Sequence, residues 1–387
     1  MTSTRIAVIG AGPGGLTCAR VLRRHGIDVT VYDADDSATA RDQGGTLDMH
    51  PDTGQYALRA AELWDEFAAL ARPEGEQMRL VDRAGRVVFD SAPPQDGEGN
   101  PEIDRGQLRT ILLDSLAAPV RWGHKLERAE PLGDGRHRLH FTHGGTTEAD
   151  LVIGADGAWS RVRRLLSDAV PGYTGVTFVE TGLDDADTRH PELAGLTGDG
   201  TMMALDDNHG FVAQRNSGGH IRVYVGMRVP EDWYGRAALD PADTAAVRTA
   251  LLERFADWGE TLRGYITDTD TGYVNRPLYA LPVPHTWEHT PGVTLLGDAA
   301  HLMSPFSGMG ANLAMRDGAD LAQALIDHHG SDRHDRDRHG IDEAITAYEK
   351  ILLPRSVEAA QGAAEGIASA FAPDSAAQSL AHMAAHH

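Results

Sequence analysis

The sequence predicts an α/β protein with a parallel sheet, an inserted mainly-β domain and a long C-terminal helix. Three short apolar runs, at residues 5–9, 149–153 and 292–296, each lead into a glycine-containing segment, as buried strands of a parallel sheet do. Between the second and third runs, residues 171–275 change to strand-like pieces separated by Gly, Asp and Asn, which is typical of an inserted β domain. Apolar residues at helical spacing predict the last helix over residues 341–372.

The first apolar run leads into a turn that matches the pattern G-x-G-x-x-G and is followed by a helical pattern. In this motif the first glycine permits the tight turn, the second lets the backbone approach a pyrophosphate, and the third lets the helix pack on the sheet. A second strand then ends in an acidic residue, near the distance at which a carboxylate binds a ribose. The stretch predicts a Rossmann-like site for FAD or NAD(P), without distinguishing them. Its candidate binding residues are Gly10, Gly12, Gly14, Gly15 and Asp33.

Composition restricts the class of partner. The chain has 57 acidic and 35 basic residues and a net charge of −22, which disfavours binding to nucleic acid or an anionic membrane. The single cysteine, Cys18, excludes an internal disulfide and favours a reducing compartment. With no run of 18 apolar residues and a first strand beginning near residue 5, we expect neither a membrane span nor a signal peptide, and a cytoplasmic protein. The histidines of residues 328–340 lack metal-ligand spacing on a defined element, so we predict no metal site.

The ends of the three predicted strands narrow the choice of cofactor. The second strand ends at Asp156-Gly157 and the third at Gly297-Asp298. FAD is the longer cofactor, and a carboxylate at a strand end, such as Asp298, can accept hydrogen bonds from its ribityl hydroxyls. The helix that follows offers free N–H groups and a positive dipole end to the negative charge of a reduced flavin. Its first residues are Gly310, Ala311 and Asn312.

These three motifs together resemble the fingerprints of single-component (class A) FAD-dependent aromatic hydroxylases, in the same order and over essentially the whole chain. Within that family, residues 44–50, 53–55 and 100–105 are most similar to the tetracycline-inactivating flavin monooxygenases. The resemblance implies that Asp48, Arg105 and Asp298 contact FAD, that Arg41 contacts NADPH or FAD, and that Asp156 serves a motif linked to both cofactors. The alternative for Asp156 is that it only caps the helix that follows.

The resemblance also implies a division into domains. It assigns FAD binding to residues 1–70, 101–175 and 276–326, and substrate binding to residues 71–100 and 176–275, with helix 341–372 bridging the two. Pro354 is expected to kink or break that helix. The nearest matches to tetracycline-contacting positions differ in residue type, and they are Thr181, Thr201 and Arg222.

The implied function is that of a monooxygenase. NADPH, or alternatively NADH, reduces FAD, and a flavin C4a-hydroperoxide transfers one atom of O2 to a small polyketide- or antibiotic-like substrate. We assign no catalytic side chain, because the flavin carries the chemistry. The expected partners are that substrate and O2, and the expected state is a monomer or a homodimer. Two alternatives stay open: a flavin-dependent reductase or dehydrogenase on the same scaffold, and a non-catalytic, drug-sequestering flavoprotein.

Overall fold

The computed structural model describes residues 4–41, 43–93, 99–328, 338–373 and 375–376. In this part of the chain the strands are β1 (Ile6–Ile9), β2 (Val29–Tyr32), β3 (Thr46–Asp48), β4 (Met78–Val81), β5 (Val87–Ser91), β6 (Glu102–Asp104), β7 (Leu126–Pro131), β8 (His137–Phe141), β9 (Thr146–Ala149), β10 (Leu151–Gly154), β11 (Gly172–Leu183), β12 (Thr201–Asp206), β13 (His209–Arg215), β14 (Ile221–Arg228), β15 (Val274–Ala280) and β16 (Val293–Leu295). The α-helices are α1 (Pro13–Arg24), α2 (Tyr56–Ala60), α3 (Trp64–Ala68), α4 (Arg105–Asp114), α5 (Ala186–Arg189), α6 (Pro191–Thr197), α7 (Trp233–Arg236), α8 (Thr244–Arg254), α9 (Glu260–Thr267), α10 (Asp298–His301), α11 (Gly310–His328) and α12 (Arg338–Ala370).

A four-stranded parallel sheet forms the first layer, in the order β16-β10-β1-β2. Every residue of β1, β10 and β16 is buried, because both faces of the sheet are covered, and this explains their mainly apolar sequences. The three apolar runs are therefore neighbouring strands, as predicted. Helices α1 and α11 pack closely enough that a Cβ on Gly318 would overlap the main chain of Gly14.

A seven-stranded sheet forms the second layer, in the order β15-β11-β14-β13-β12-β4-β5. Alternation along β14 places Ile221, Val223, Val225 and Met227 in a core shared with α8 and α9. The intervening side chains, Arg222 and Tyr224, point to the opposite face. The second face of this sheet carries the polar residues of the candidate site.

The C-terminal helix α12 covers 33 residues and contacts both layers. It packs along α11, and its end places Ile367 and Phe371 against Phe178 of the seven-stranded sheet. The helix continues through Pro354, so the expectation of a break there was wrong. The α/β class with a Rossmann-like sheet and a long C-terminal helix is confirmed, and the domain boundaries stay a prediction.

Candidate active site

The three strand ends with nucleotide-type sequences meet at one edge of the parallel sheet. Gly10 has a φ of +112°, and a Cβ there would overlap the carbonyl oxygen of Ala155, just past β10. A Cβ on Gly14 would lie 2.8 Å from Cδ1 of Leu296, just past β16. A Cβ on Gly297 would lie 2.9 Å from Cβ of Ala314, in the first turns of α11. The predicted convergence of these strand ends is therefore observed.

The glycine turn has the open space that a pyrophosphate needs. Apart from the neighbours of Gly12 in the chain, no heavy atom of the described residues lies within 4 Å of the position that a Cβ on Gly12 would take. The main-chain N–H of Ala11 donates to Oδ2 of Asp33 over 2.6 Å, and that of Asp35 donates to Oδ1 over 2.8 Å. Asp33 thus shapes the turn at the end of β2, and its carboxylate keeps acceptor capacity for ribose hydroxyls. These features fit the adenosine end of FAD.

Arg109, which we did not identify from the sequence, supports the glycine turn from behind. Its guanidinium is buried and donates to the carbonyls of Ala11 over 3.2 Å and Ala38 over 3.0 Å. It also lies 3.4 Å from the carboxylate of Asp35, to which the exposed Arg41 is paired over 2.9 Å. The only signal in the sequence for this role of Arg109 was the position of an arginine on the otherwise apolar side of α4.

The second strand end is tied to the third through Arg163. Asp156 accepts hydrogen bonds from the Ser160 hydroxyl over 2.5 Å and from the main-chain N–H of Arg161 over 2.7 Å, which is the capping role we left open. Burial raises the pKa of Asp156. The guanidinium of Arg163 donates to the carbonyl of Ala299 over 2.9 Å and that of Ala158 over 2.6 Å, which joins the two motifs.

The side chain of Asn312 is fully buried and already hydrogen-bonded, so the predicted contact of Asn312 with the cofactor stays a prediction for its main-chain N–H alone. Its Oδ1 accepts from the main-chain N–H groups of His50 over 3.0 Å and Gly54 over 3.1 Å, and from the Thr53 hydroxyl over 3.2 Å. Its Nδ2 donates to the carbonyl of Asp48 over 2.7 Å. Only main-chain groups at this end of α11, where Gly310 and Ala311 stay partly exposed, can face a cofactor.

The other residues predicted to contact FAD are Asp48, Arg105 and Asp298, and all three lie partly or fully at the protein surface. Oδ2 of Asp48 lies 2.8 Å from Nε2 of His50, and this hydrogen bond raises the pKa of His50. Arg105 is exposed at the start of α4, where its main-chain N–H donates to Gly45 over 3.0 Å. Asp298 is exposed at the start of α10. Their contacts with FAD stay predictions.

Polar side chains form a row across three strands of the seven-stranded sheet. Arg222 on β14 is paired with Gln214 on β13, and Gln214 is paired with Thr201 on β12, so the three share one face. In the next row Glu180 is paired with Tyr224. This polar face comprises Thr201, Gln214, Arg222, Tyr224 and Glu180. Two of the three residues predicted to bind substrate, Thr201 and Arg222, lie on it.

Thr181 lies on the other face of the sheet. It alternates with Glu180, and its hydroxyl is hydrogen-bonded to those of Thr269 and Thr271. Because successive residues of a strand point to opposite faces, Thr181 cannot line a site on the polar face. We therefore leave it out of the proposed substrate site.

The polar face meets the loop that leads to Asp48. The guanidinium of Arg222 lies against Gly44, and the Tyr224 hydroxyl oxygen lies 3.1 Å from where a Cβ on Gly45 would be. Arg222 is also paired with Glu180, whose second oxygen accepts from Nε of Arg276 over 3.0 Å. The candidate site thus lies where the seven-stranded sheet meets the edge of the parallel sheet that is predicted to bind FAD. The alternation of side chains along β14 would have indicated Tyr224 as a residue of this site.

Comparison with known proteins identifies the family. The model of the FAD binding domain family matches residues 3–339. The chain belongs to the FAD binding domain family. It is 31% identical to the monooxygenase asqM of Emericella nidulans over 83% of each chain. It is also 31% identical to 3-amino-4-hydroxybenzoate 2-monooxygenase of Streptomyces cremeus, over 92% of this flavoprotein and 84% of that enzyme. The prediction of an FAD-dependent monooxygenase is confirmed.

Solved structures share the fold of this flavoprotein. Klebsiella pneumoniae HpxO, complexed with FAD and uric acid, superposes with a TM-score of 0.78 at 22% identity, covering 98% of this chain and 92% of that one. The tetracycline destructase Tet(51) superposes with a TM-score of 0.66 at 21% identity, covering 93% and 89%. The predicted resemblance to class A monooxygenases, tetracycline-inactivating enzymes included, is confirmed for the fold.

The described residues contain neither a membrane-spanning helix nor a cluster of metal-binding side chains. No helix there combines the length and apolar character that a bilayer crossing requires. No three His, Cys, Asp or Glu side chains in the same residues are grouped so that they could hold a metal ion. Most of the histidine-rich segment, residues 329–337, lies outside the described residues.

Glu102 is a buried carboxyl group beside the candidate site. It lies on β6, paired with Asp48 on β3, and accepts a hydrogen bond from the Thr46 hydroxyl. Burial, reinforced by the charge of Asp48, raises the pKa of Glu102 to about 7, and the hydrogen bond from Thr46 and the charge of Arg72 offset this only in part. The Glu102 carboxyl group therefore stays protonated to a higher pH in the folded protein than an exposed glutamate does.

The variant Glu102→Gln is expected to be more stable than the natural protein above neutral pH. The folded-state pKa of about 7 exceeds that of an exposed glutamate, so the folded protein binds more protons than the unfolded chain between the two values. The free energy of unfolding therefore falls as pH rises through this window, by on the order of 3 kcal/mol. Urea unfolding from about pH 5 to about pH 8 should show a flatter dependence for Glu102→Gln.

A matched control for this prediction is Glu66→Gln, at an exposed position on α3, which should leave the pH dependence unchanged. The free energy of unfolding of Glu102→Gln will still depend somewhat on pH. The reason is that His50 also has a raised pKa, and its stabilising contribution is lost as pH rises through that pKa. A Glu102→Gln curve parallel to that of the natural protein would contradict the assignment.

Proposed function

We propose that this monooxygenase uses NAD(P)H, with NADPH preferred, to insert one atom of O2 into a small, electron-rich phenol or enol. The observation that carries the proposal is the polar row of Arg222, Gln214 and Thr201, which faces the loop leading to Asp48. Bound FAD would supply the transfer of electrons from the nicotinamide to O2 and the delivery of one oxygen atom. The oxygen-transferring species on the flavin stays a prediction.

The residues at the sheet edge would hold FAD along its length. The turn of residues 10–15 would bind the pyrophosphate, Asp33 the ribose, and Asp298 the ribityl chain, with the start of α11 facing the flavin ring. The open space at Gly12 and the exposure of Asp298 support this assignment. Asp48 and Arg105 would contact the same cofactor from the loop and from α4.

The charges on the polar face favour a substrate with an anionic oxygen. The guanidinium groups of Arg222 and Arg276 both contact the carboxylate of Glu180, and a guanidinium can also donate a charge-assisted hydrogen bond to an anionic oxygen of a substrate. Gln214 and Thr201 add neutral hydrogen-bonding groups beside Arg222. Burial raises the pKa of Tyr224, so its hydroxyl stays protonated and can donate a hydrogen bond. Phenols and enols that ionise readily fit this set.

An aromatic cluster would exclude water from the apolar side of the same site. The rings of Phe178 and Phe306 lie 6.0 Å apart, and those of Phe306 and Phe371 lie 5.6 Å apart. The 3-amino-4-hydroxybenzoate and uric acid named for two similar proteins are planar ring compounds with ionisable oxygens, which supports this substrate class. Exclusion of water favours oxygen transfer to the substrate over side reactions.

The test uses the FAD-loaded protein, NADPH or NADH, 18O2 and a panel of 3-amino-4-hydroxybenzoate, uric acid and tetracycline. We expect at least one compound to stimulate oxidation of the nicotinamide and to gain one labelled oxygen atom by mass spectrometry. A reductase would give an unlabelled product, and a sequestering protein would bind a compound without consuming O2. Either result would overturn the proposed function.

A further inference from the structure

A buried carboxylate connects the strand end that carries Asp298 to the C-terminal helix. Asp317 lies on α11 with none of its surface exposed. Its Oδ2 accepts the main-chain N–H of Gly297 over 3.0 Å and lies 2.6 Å from Nε2 of His301. Its Oδ1 accepts Nη2 of Arg355 on α12 over 2.8 Å. One oxygen therefore restrains the strand end, and the other is held by the helix.

The network is ionic. Burial alone would raise the pKa of Asp317, but the charges of His301 and Arg355 outweigh it and lower that pKa. Burial likewise opposes protonation of His301, and the Asp317 carboxylate overcomes it and raises the pKa of His301. A buried charge that loses one partner is strongly destabilised, so each of these contacts is a strong geometric restraint.

The backbone at Gly297 has an unusual conformation that has to be held in place by contacts. Gly297 has a φ of +58° and a ψ of −144°, outside the regions that other residues favour, and it directly precedes Asp298. Arg163 holds the carbonyl of Ala299 from the opposite side of this turn. The position of the Asp298 carboxylate, which would bind the ribityl chain, therefore depends on Arg163 and, through Asp317, on Arg355.

We propose that Arg355, acting through Asp317, is a positioning residue for the strand end at Gly297 and Asp298, so that docking of the C-terminal helix and binding of FAD are coupled. The inference requires FAD binding at this edge and does not depend on the substrate proposed above. Coupling is reciprocal: the helix contact strengthens FAD binding, and bound FAD strengthens docking of the helix.

The test compares Arg355→Gln with Asp320→Asn. Asp320 accepts Nη1 of Arg355 over 2.8 Å and Nε of Arg316 over 2.8 Å, so Asp320→Asn disturbs the same arginine but keeps its contact with Asp317. Titration of each apoprotein with FAD, followed by flavin fluorescence at a temperature where circular dichroism shows it folded, gives the Kd. We expect about a tenfold rise for Arg355→Gln and less than about a threefold rise for Asp320→Asn.

A second readout is hydrogen exchange of the amides in residues 353–370. FAD should slow this exchange in the natural protein and have little effect on it in Arg355→Gln. If Arg355→Gln does not fold, Arg355→Lys takes its place, because it keeps the charge but loses the forked geometry. A lowered thermal midpoint of the apoprotein with an unchanged Kd for FAD would show a merely structural role and would overturn the proposal.

Discussion

Replacement of Gly12 by valine is expected to abolish FAD binding while leaving the protein folded. The position is surrounded by open space and has an extended backbone, with a φ of −80° and a ψ of 174°, which valine adopts readily. In the complex, however, the new side chain would occupy the space that the pyrophosphate needs. We expect the Kd for FAD to rise at least about 100-fold, equivalent to ~2.7 kcal/mol.

Flavin fluorescence titration and circular dichroism together check this result, because they separate cofactor binding from folding. The matched control is Gly26→Ala, at the end of α1, where a Cβ also meets no atom within 4 Å. Gly26 has a φ of +73°, so alanine there should lower the stability by about 1 kcal/mol without changing the Kd for FAD. If Gly12→Val bound FAD with the affinity of the natural protein, the assignment of the pyrophosphate to this turn would be contradicted.

Replacement of Arg222 by glutamine is expected to have the second-largest effect, on turnover of an acidic phenol. With 3-amino-4-hydroxybenzoate as the probe, we expect kcat/KM to fall about 100-fold, because a charge-assisted hydrogen bond in a water-poor site is lost. The Kd for FAD should stay unchanged, since Arg222 lies on the β sheet and not at the strand ends. Steady-state kinetics with the FAD-loaded protein measure kcat/KM, and titration of the apoprotein followed by flavin fluorescence measures the Kd for FAD.

The control for Arg222 is Thr181→Val, on the adjacent strand but on the opposite face. This change removes hydrogen bonds to Thr269 and Thr271 and should lower stability by about 1 kcal/mol, while kcat/KM stays the same. Equal losses of kcat/KM in both variants would mean that the polar face is not the substrate site.

The part of the fold that local sequence determines was predictable. The strand, the glycine turn, the helix and the acidic residue at the end of β2 follow one another within 30 residues, and each has a local physical signal. The mainly apolar sequences of β1, β10 and β16 indicated strands of a sheet that is covered on both faces, and the nucleotide-type motif after each strand indicated that their ends lie together. The edge of the parallel sheet that is predicted to bind FAD could therefore be located from the sequence.

What depends on contacts distant in sequence could not be predicted. Asn312 stands at a helix start, where donors to a ligand are expected, but its side chain is used by a loop 262 residues away at His50. The face of β11 to which Thr181 points could not be chosen, because both faces of that strand carry buried residues. Pro354 does not end α12, because packing on both sides of it outweighs the missing hydrogen bond.

The buried Arg109 behind the glycine turn resolves an apparent conflict between the net charge of the protein and the charge of its cofactor. The protein carries 22 excess negative charges, yet its cofactor contains a doubly charged pyrophosphate. Arg109 donates a hydrogen bond to the carbonyl of Ala11, so this carbonyl dipole is directed toward the interior. Because the C=O and N–H of one trans peptide group point in opposite directions, the N–H of Gly12 is directed away from the interior and can attract an anion that the surface as a whole repels.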